Sequence, residues 1–316
     1  MRWVMSTVGA VAVVASVAAL TFGVAGSRSA SPIEMLVFAG QKHSQSTDHG
    51  DLFLVPPAGG TLRRLTSNGA DMNSASDDDP SWSPDGKWIA FSRLWPLVNG
   101  GELVRDLEAD LMVIDASGGQ ERSITGGSNY YWIDTSPSWS PDGRRIAFSR
   151  EDAFGRTKNG VYGIYVVGAD GKGLRRIAKR AAVAVDWSPD GSSLAFVTGF
   201  WSTGASGRVG TIGLATGATR TFALAGAQDV AWAPDGRMLA VAGDRGISIL
   251  TPSGRKLRQI EAPAASVTWS PDGRWLAYGA TTRDGRYGHI HIASANGRGT
   301  RQVTSKSIAY DLDWRP

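Results

Sequence analysis

Beyond residue 33, apolar positions in this chain come in bursts of three to six, bounded by Gly, Pro, Asp and Ser. The bursts are too short for the three-to-four spacing of an amphipathic helix and are rich in β-branched and aromatic residues, so they predict strands. Five of them share one form: Trp88-Ile-Ala-Phe91, Ile146-Ala-Phe148, Leu194-Ala-Phe196, Leu239-Ala-Val241 and Leu276-Ala-Tyr278. Each begins two or three residues after Trp-(Ser/Ala)-Pro-Asp-Gly, at Trp82, Trp139, Trp187, Trp232 and Trp269, and Trp314-Arg315-Pro316 is a truncated sixth copy. Pro fixes φ and Gly accepts positive φ, so this element predicts a hairpin turn between two strands.

A third strand follows each turn and closes on glycine: Asp51 to Gly59, Asp110 to Gly118, Gly163 to Gly171, Val209 to Gly217, Gly246 to Gly254 and His289 to Gly297. A fourth carries Arg with an apolar residue two further on: Arg63/Leu65, Arg122/Ile124, Arg175/Ile177, Arg220/Phe222, Arg258/Ile260 and Arg301/Val303. The tryptophans recur every 37 to 57 residues, a period that suits a four-stranded propeller blade. Residues 33–66 supply a second, third and fourth strand with no first before them, and 309–314 supply a first strand with nothing after it. The expected fold is therefore all-β: a six-bladed β-propeller of four-stranded blades, closed by the C-terminal strand joining the N-terminal blade. Residues 33–316 form that propeller, and residues 1–32 an export signal or membrane anchor plus a short linker.

No charged residue lies between Arg2 and Arg28, and Val8 to Gly26 is small and aliphatic. With Val24-Ala25-Gly26 before Ser27 this reads as a Sec-type signal, or, uncleaved, as a span anchoring the chain through residues 8–26. Either way the rest of the chain is expected outside the cytoplasm, periplasmic or extracellular.

Composition narrows the classes. The chain has 316 residues, 40 Gly, 12 Trp and no Cys, which excludes a disulfide-stapled module and a lipoprotein anchor. A net charge of +4 would suit nucleic acid, yet no block of basic residues exists. Six arginines recur at one place in the fourth strands, where they guard an outer sheet edge. No nucleic-acid partner is expected.

The full-form repeats Asp77-Asp-Asp-Pro-Ser-Trp-Ser-Pro-Asp-Gly86 and Asp134-Thr-Ser-Pro-Ser-Trp-Ser-Pro-Asp-Gly143 resemble the TolB-like propeller family, whose blades carry Asp-x-x-Pro-Ser-Trp-Ser-Pro-Asp-Gly followed by Ile-Ala-Phe. The resemblance implies the propeller fold over residues 33–316. TolB-type relatives place an α/β domain ahead of it that couples to the Tol–Pal envelope system; residues 1–32 are too few for one. Similar propellers cap prolyl oligopeptidase-type hydrolases, but no Gly-x-Ser-x-Gly elbow occurs here.

Function is expected in the long, varied loops 39–50, 67–79, 93–109, 126–136, 150–161 and 198–208, opposite the Ser-Pro-Asp-Gly turns. They carry the candidate ligand-binding residues Trp95, Tyr130, Tyr131, Trp132, Trp201, Arg93, Arg150 and Asp152. The leading reading is a non-enzymatic, monomeric scaffold for a protein or cell-envelope ligand, with no cofactor. Two alternatives stand beside it. His43, His49, His289 and His291 would neighbour one another once the ring closes, which would suit a metal-dependent polysaccharide lyase or hydrolase; a retained anchor would suit a sensory ectodomain. Asp71, Asp77, Asp78 and Asp79 form an acidic stretch with Ca²⁺-type ligands but no loop order of a known kind.

Overall fold

Strand and turn alternate throughout the computed structural model, which describes residues 34–41, 50–68, 75–99, 102–126, 132–152, 162–200, 205–282, 287–305 and 308–316. All regular structure among them is strand. β1 (Leu36–Gln41), β2 (Asp51–Val55) and β3 (Arg63–Arg64) run antiparallel in order. Next come β4 (Ser76–Trp82), β5 (Trp88–Asn99), β6 (Glu102–Asp115) and β7 (Glu121–Ser123), again a meander. β8 (Trp132–Trp139), β9 (Arg145–Asp152), β10 (Gly163–Gly168) and β11 (Arg175–Ala178) repeat it. So do β12 (Ala182–Trp187), β13 (Ser193–Phe200), β14 (Ala205–Gly213) and β15 (Thr219–Ala223). The pattern continues with β16 (Ala227–Trp232), β17 (Leu239–Gly243), β18 (Ile247–Leu250) and β19 (Lys256–Ile260). The last full meander is β20 (Ala264–Trp269), β21 (Trp275–Thr281), β22 (Tyr287–Ser294) and β23 (Arg301–Gln302). β24 (Ile308–Trp314) then returns to β1 and pairs antiparallel with it, Leu36 opposite Trp314 and Phe38 opposite Leu312.

The turn between the first two strands of each meander has a common chemistry. Gly86 N donates to Ser83 O (2.8 Å), Ser83 Oγ donates to Asp85 (2.7 Å), and Ser83 Oγ accepts from Trp88 N (2.9 Å). Ser140, Ser188 and Ser270 do the same, and every closing glycine sits at φ between +63° and +71°, where a side chain would be strained. The serine bond, more than any charge, holds the Asp85, Asp142, Asp190 and Asp272 carboxyls below the usual range. Ala233 takes the serine's place in one copy.

Packing explains the Ile-Ala-Phe runs. Successive strand residues face opposite sides of the sheet, and here both sides are buried. Ile89 and Phe91 pack with Trp82 against the preceding meander, while Ala90 faces the next cluster, which contains Trp139. Ala147 likewise shares a cluster with Trp187, Ala240 with Trp269 and Ala277 with Trp314. A small residue in the second strand makes room for the neighbour's indole, so each meander is held by the one after it.

The first strands touch in series: β4 with β8, β8 with β12, β12 with β16, β16 with β20, β20 with β24, and β24 with β4. At the rim the recurrent arginines reach across to the next meander's turn. Arg63 donates to Ser117 O (3.0 Å), Arg122 to Ala169 O (2.7 Å), Arg258 to Ala295 O (2.8 Å) and Arg301 to Pro57 O (2.6 Å). Sequence reading gave these side chains an edge-guarding task; the structure gives these four a tie between neighbours, because the fourth strand lies within guanidinium reach of the adjoining turn.

Candidate functional site

β5 and β6 form the longest hairpin among the described residues, running past the end of β4 and pairing out to Asn99 opposite Glu102. β6 also meets β8 in parallel, Ala109 beside Ile133. Leu94, Ala109 and Ile133 make a small buried cluster there, which fixes the hairpin base against the next meander. Alternation then dictates what the opposite face carries. Trp95 pairs with Glu108, Glu108 and Trp132 stand one step before Ala109 and Ile133, and Trp132 pairs with Asp152. Trp95, Glu108, Trp132 and Asp152 therefore form one row across four strands, on the side away from the cluster. Trp95 is 41% exposed, and Glu108, Trp132 and Asp152 are half-buried.

A second row lies one pleat deeper: Arg93 opposite Asp110, and Asp134 opposite Arg150. Arg93 is buried and gives two bonds to Asp77 (2.6 and 3.0 Å) and two more to Glu121. Arg150 is buried and gives two to Asp134, both 2.6 Å. Each guanidinium lies near an indole of the outer row, Arg93 Cζ 5.8 Å from the Trp95 ring and Arg150 Cζ 5.5 Å from Trp132. Of the sequence candidates, then, Trp95, Trp132 and Asp152 come together on an outward-facing row, and Arg93 and Arg150 lie beneath it, engaged within the chain. Tyr130, Tyr131 and Trp201 lie outside the described residues. Glu108 and Asp110 were missed: nothing in their local sequence marks them, and only strand register brings them beside the tryptophans. Burial first, then neighbouring carboxylates, Asp110 and Asp134 for Glu108 and Asp134 for Asp110, push both carboxyls up.

A second carboxylate set was missed but for Asp79, which the sequence offered only as part of an acidic stretch. A cavity of about 280 Å³ is lined from all six first strands, with Asp79, Asp186, Asp229, Asp311 and Asp313 among its walls. These side chains tie first strands together: Asp79 accepts from Ser136 N (3.0 Å), Asp186 from Trp232 N (2.6 Å), Asp229 from Val267 N (2.8 Å) and Asp313 from Trp82 N (2.7 Å). Burial pushes the Asp186 carboxyl up to about 7 and those of Asp229 and Asp313 to about 6. Asp79 and Ser136 also hold left-handed backbone at φ 51° and 52°, each just before a proline, a strained arrangement bridged by their mutual bond. The usable sequence signal was an aspartate one or three residues before the repeat tryptophan.

The remaining candidates are placed as follows. His289 and His291 lie on β22, where the His291 ring stacks on Tyr278 at 5.6 Å and burial pulls its pKa down. His43, His49 and Asp71 lie outside the described residues. Asp77 pairs with Arg93, Asp78 interacts with Ser76, and Asp79 accepts from Ser92 and Ser136. Among the described residues no group of three or more His, Asp or Glu has metal-holding geometry.

Comparison with known proteins agrees with the repeats. Residues 101–246 match the family described as the TolB beta propeller domain. An uncharacterized protein of Agrobacterium fabrum is 30% identical over 46% of this chain and 42% of its own length. The Tol-Pal system protein TolB of Francisella tularensis subsp. mediasiatica is 33% identical over 31% of this chain and 19% of its own. The chain thus spans less than half of either relative. The crystal structure of TolB from Acinetobacter baumannii superposes with a TM-score of 0.66 at 18% identity, covering 89% of this chain and 66% of that one, a likeness of fold.

Proposed function

We propose that this chain, which carries a TolB-like β-propeller, is an exported, non-enzymatic scaffold that binds a protein of the cell envelope through its long-loop face. The observation that carries this reading is the row Trp95–Glu108–Trp132–Asp152. Its two indoles stand half-open to solvent on a braced sheet, whereas the repeat tryptophans are packed between meanders. An exposed aromatic held on rigid strands is the usual anchor of a protein contact. Tyr130, Tyr131 and Trp201 extend the same face in this reading. The match to a Tol-Pal system protein supports an envelope setting.

The propeller is read as a closed ring of six blades. In support, the first strands meet in cyclic order, Arg301 reaches Pro57, and Arg315 of the truncated repeat lies 5.4 Å from the Trp82 ring. Residues 1–32 are read as export signal or anchor, and the propeller as a monomer in the periplasm or outside the cell.

The test is site-specific photo-crosslinking in the native host. A benzophenone side chain replacing Trp95 or Trp132 is expected to yield one discrete adduct with an envelope protein, and the same group at Arg237, beside the Ala-Pro-Asp-Gly turn on the opposite face, none. An equal adduct from Arg237, or none from either tryptophan position, would refute the long-loop face as the binding face.

A further inference from the structure

Resting on that reading of the face, we infer that the Trp95–Glu108–Trp132–Asp152 row receives an arginine- or lysine-bearing segment of the partner protein. The argument is one of charge against a braced aromatic surface. Among the described residues, the basic groups beneath the row are engaged internally, Arg93 by Asp77 and Glu121, Arg150 by Asp134. Glu108 in the outer row has no hydrogen bond or ion pair among the described residues and no cation offsetting it, and Asp110 just beneath it feels only the more distant charge of Arg150, although both are partly withdrawn from water. Among the described residues, carboxylates in and beneath the two rows outnumber guanidinium groups, in a chain whose overall charge is +4. This is a local acidic surface on a basic protein.

The indoles give that surface its selectivity. Trp95 and Trp132 flank Glu108, two strands apart, so about 10 Å separates their backbones. Each ring already keeps a guanidinium within 6 Å on the interior side. A second cation arriving from solvent would meet aromatic surface beside it and a carboxylate between, the combination that favours arginine and lysine side chains over neutral ones. A neutral sugar would gain from the rings but leave the excess negative charge uncompensated, and an acidic or anionic ligand would be repelled.

The experiment uses a fluorescein-labelled twelve-residue peptide of alternating Arg and Gly, titrated with the full chain and read by fluorescence anisotropy at low and moderate salt. Binding is expected, weakened by salt, and absent for the Glu-Gly counterpart. Glu108→Gln and Trp132→Ala are each expected to weaken it by about fivefold or more. Asp235→Asn, which removes a carboxylate at a distant turn, should leave it unchanged. If Glu108→Gln binds the peptide as tightly as the parent chain, or if Asp235→Asn weakens it equally, the inference is wrong. Loss of a neutral oligosaccharide's binding in the same Trp132→Ala variant, without an effect of Glu108→Gln on the peptide, would also overturn it. A Trp95 crosslink that persists while the peptide ignores Glu108→Gln sinks the basic-segment inference alone; a missing crosslink sinks the binding face itself.

Discussion

Replacing Asp134 by Asn removes one negative charge from the interior and little else, since the amide keeps an oxygen in place to accept from Arg150. Asp134 is 1% exposed and Arg150 8%, and two 2.6 Å bonds join them. Burial nevertheless pushes the Asp134 carboxyl above its ordinary range more strongly than Arg150 pulls it down. The pair is therefore no large net source of stability, and its importance is that neither charge can stand there alone. Breaking a buried pair costs about 3–5 kcal/mol because an uncompensated ion remains. Asp110 partly compensates Arg150, which puts the expected cost near the lower end, about 3 kcal/mol. For a unit of this size that corresponds to roughly 5 °C in Tm. Removing both partners, Asp134→Leu with Arg150→Met, should cost much less than either single change. The assay is a double-mutant cycle by urea denaturation followed by tryptophan fluorescence. A cost below about 1 kcal/mol for Asp134→Asn, or a double variant as damaged as the singles together, would refute the reasoning.

Other outcomes follow from the same contacts. Asp186, Asp229 and Asp313 have folded pKa values raised to about 7, 6 and 6, so their contribution is complete below the ordinary carboxylate range and is lost as pH rises through 6 to 7; the Tm should fall between pH 5 and pH 8, and a flat or rising profile would contradict the assignment. Ala147→Leu would drive a branched side chain into the space of Trp187 and should destabilise by about 1–3 kcal/mol or more, measured by the same denaturation. Ala233→Ser should restore the turn bond that the other full repeats make and stabilise by about 0.5–1 kcal/mol, visible as a small rise in Tm; no rise would mean the Ser-to-Asp bond adds nothing at this turn.

Much of this molecule was readable because its repeats force it. The spacing of Trp82, Trp139, Trp187, Trp232 and Trp269 and the Pro-Asp-Gly turns specify strand order, since each residue does the same local task in every copy. Even the truncated Trp314 copy announced the β24–β1 pairing. What escaped depends on register between strands far apart in sequence. Glu108 reaches Trp132 only because β6 meets β8 in parallel at Ala109 and Ile133, and no local pattern encodes that single bridge. Arg93 and Arg150 looked like surface charges because they sit in long-loop segments, yet each lies one pleat too deep and faces a carboxylate sixteen positions earlier. The aspartates of the cavity were hidden differently: Asp79, Asp186, Asp229, Asp311 and Asp313 come from four first strands far apart in sequence and become a set only when those strands converge.

The pairing of β24 with β1 also bears on the order in which the protein can assemble as it is made. Every meander from β4 to β23 is contiguous and can form as soon as its own residues emerge. The first three strands cannot complete theirs: Leu36 waits for Trp314, 278 positions on, and Pro57 waits for Arg301, 244 positions on. Joining ends that far apart costs about 1–2 kcal/mol more chain entropy than closing one repeat, so the seam should be the last join to form and the slowest. A circular permutant opened at a turn between two other meanders, with the natural ends linked, would keep every contact yet make the seam local, and should fold faster for that reason alone.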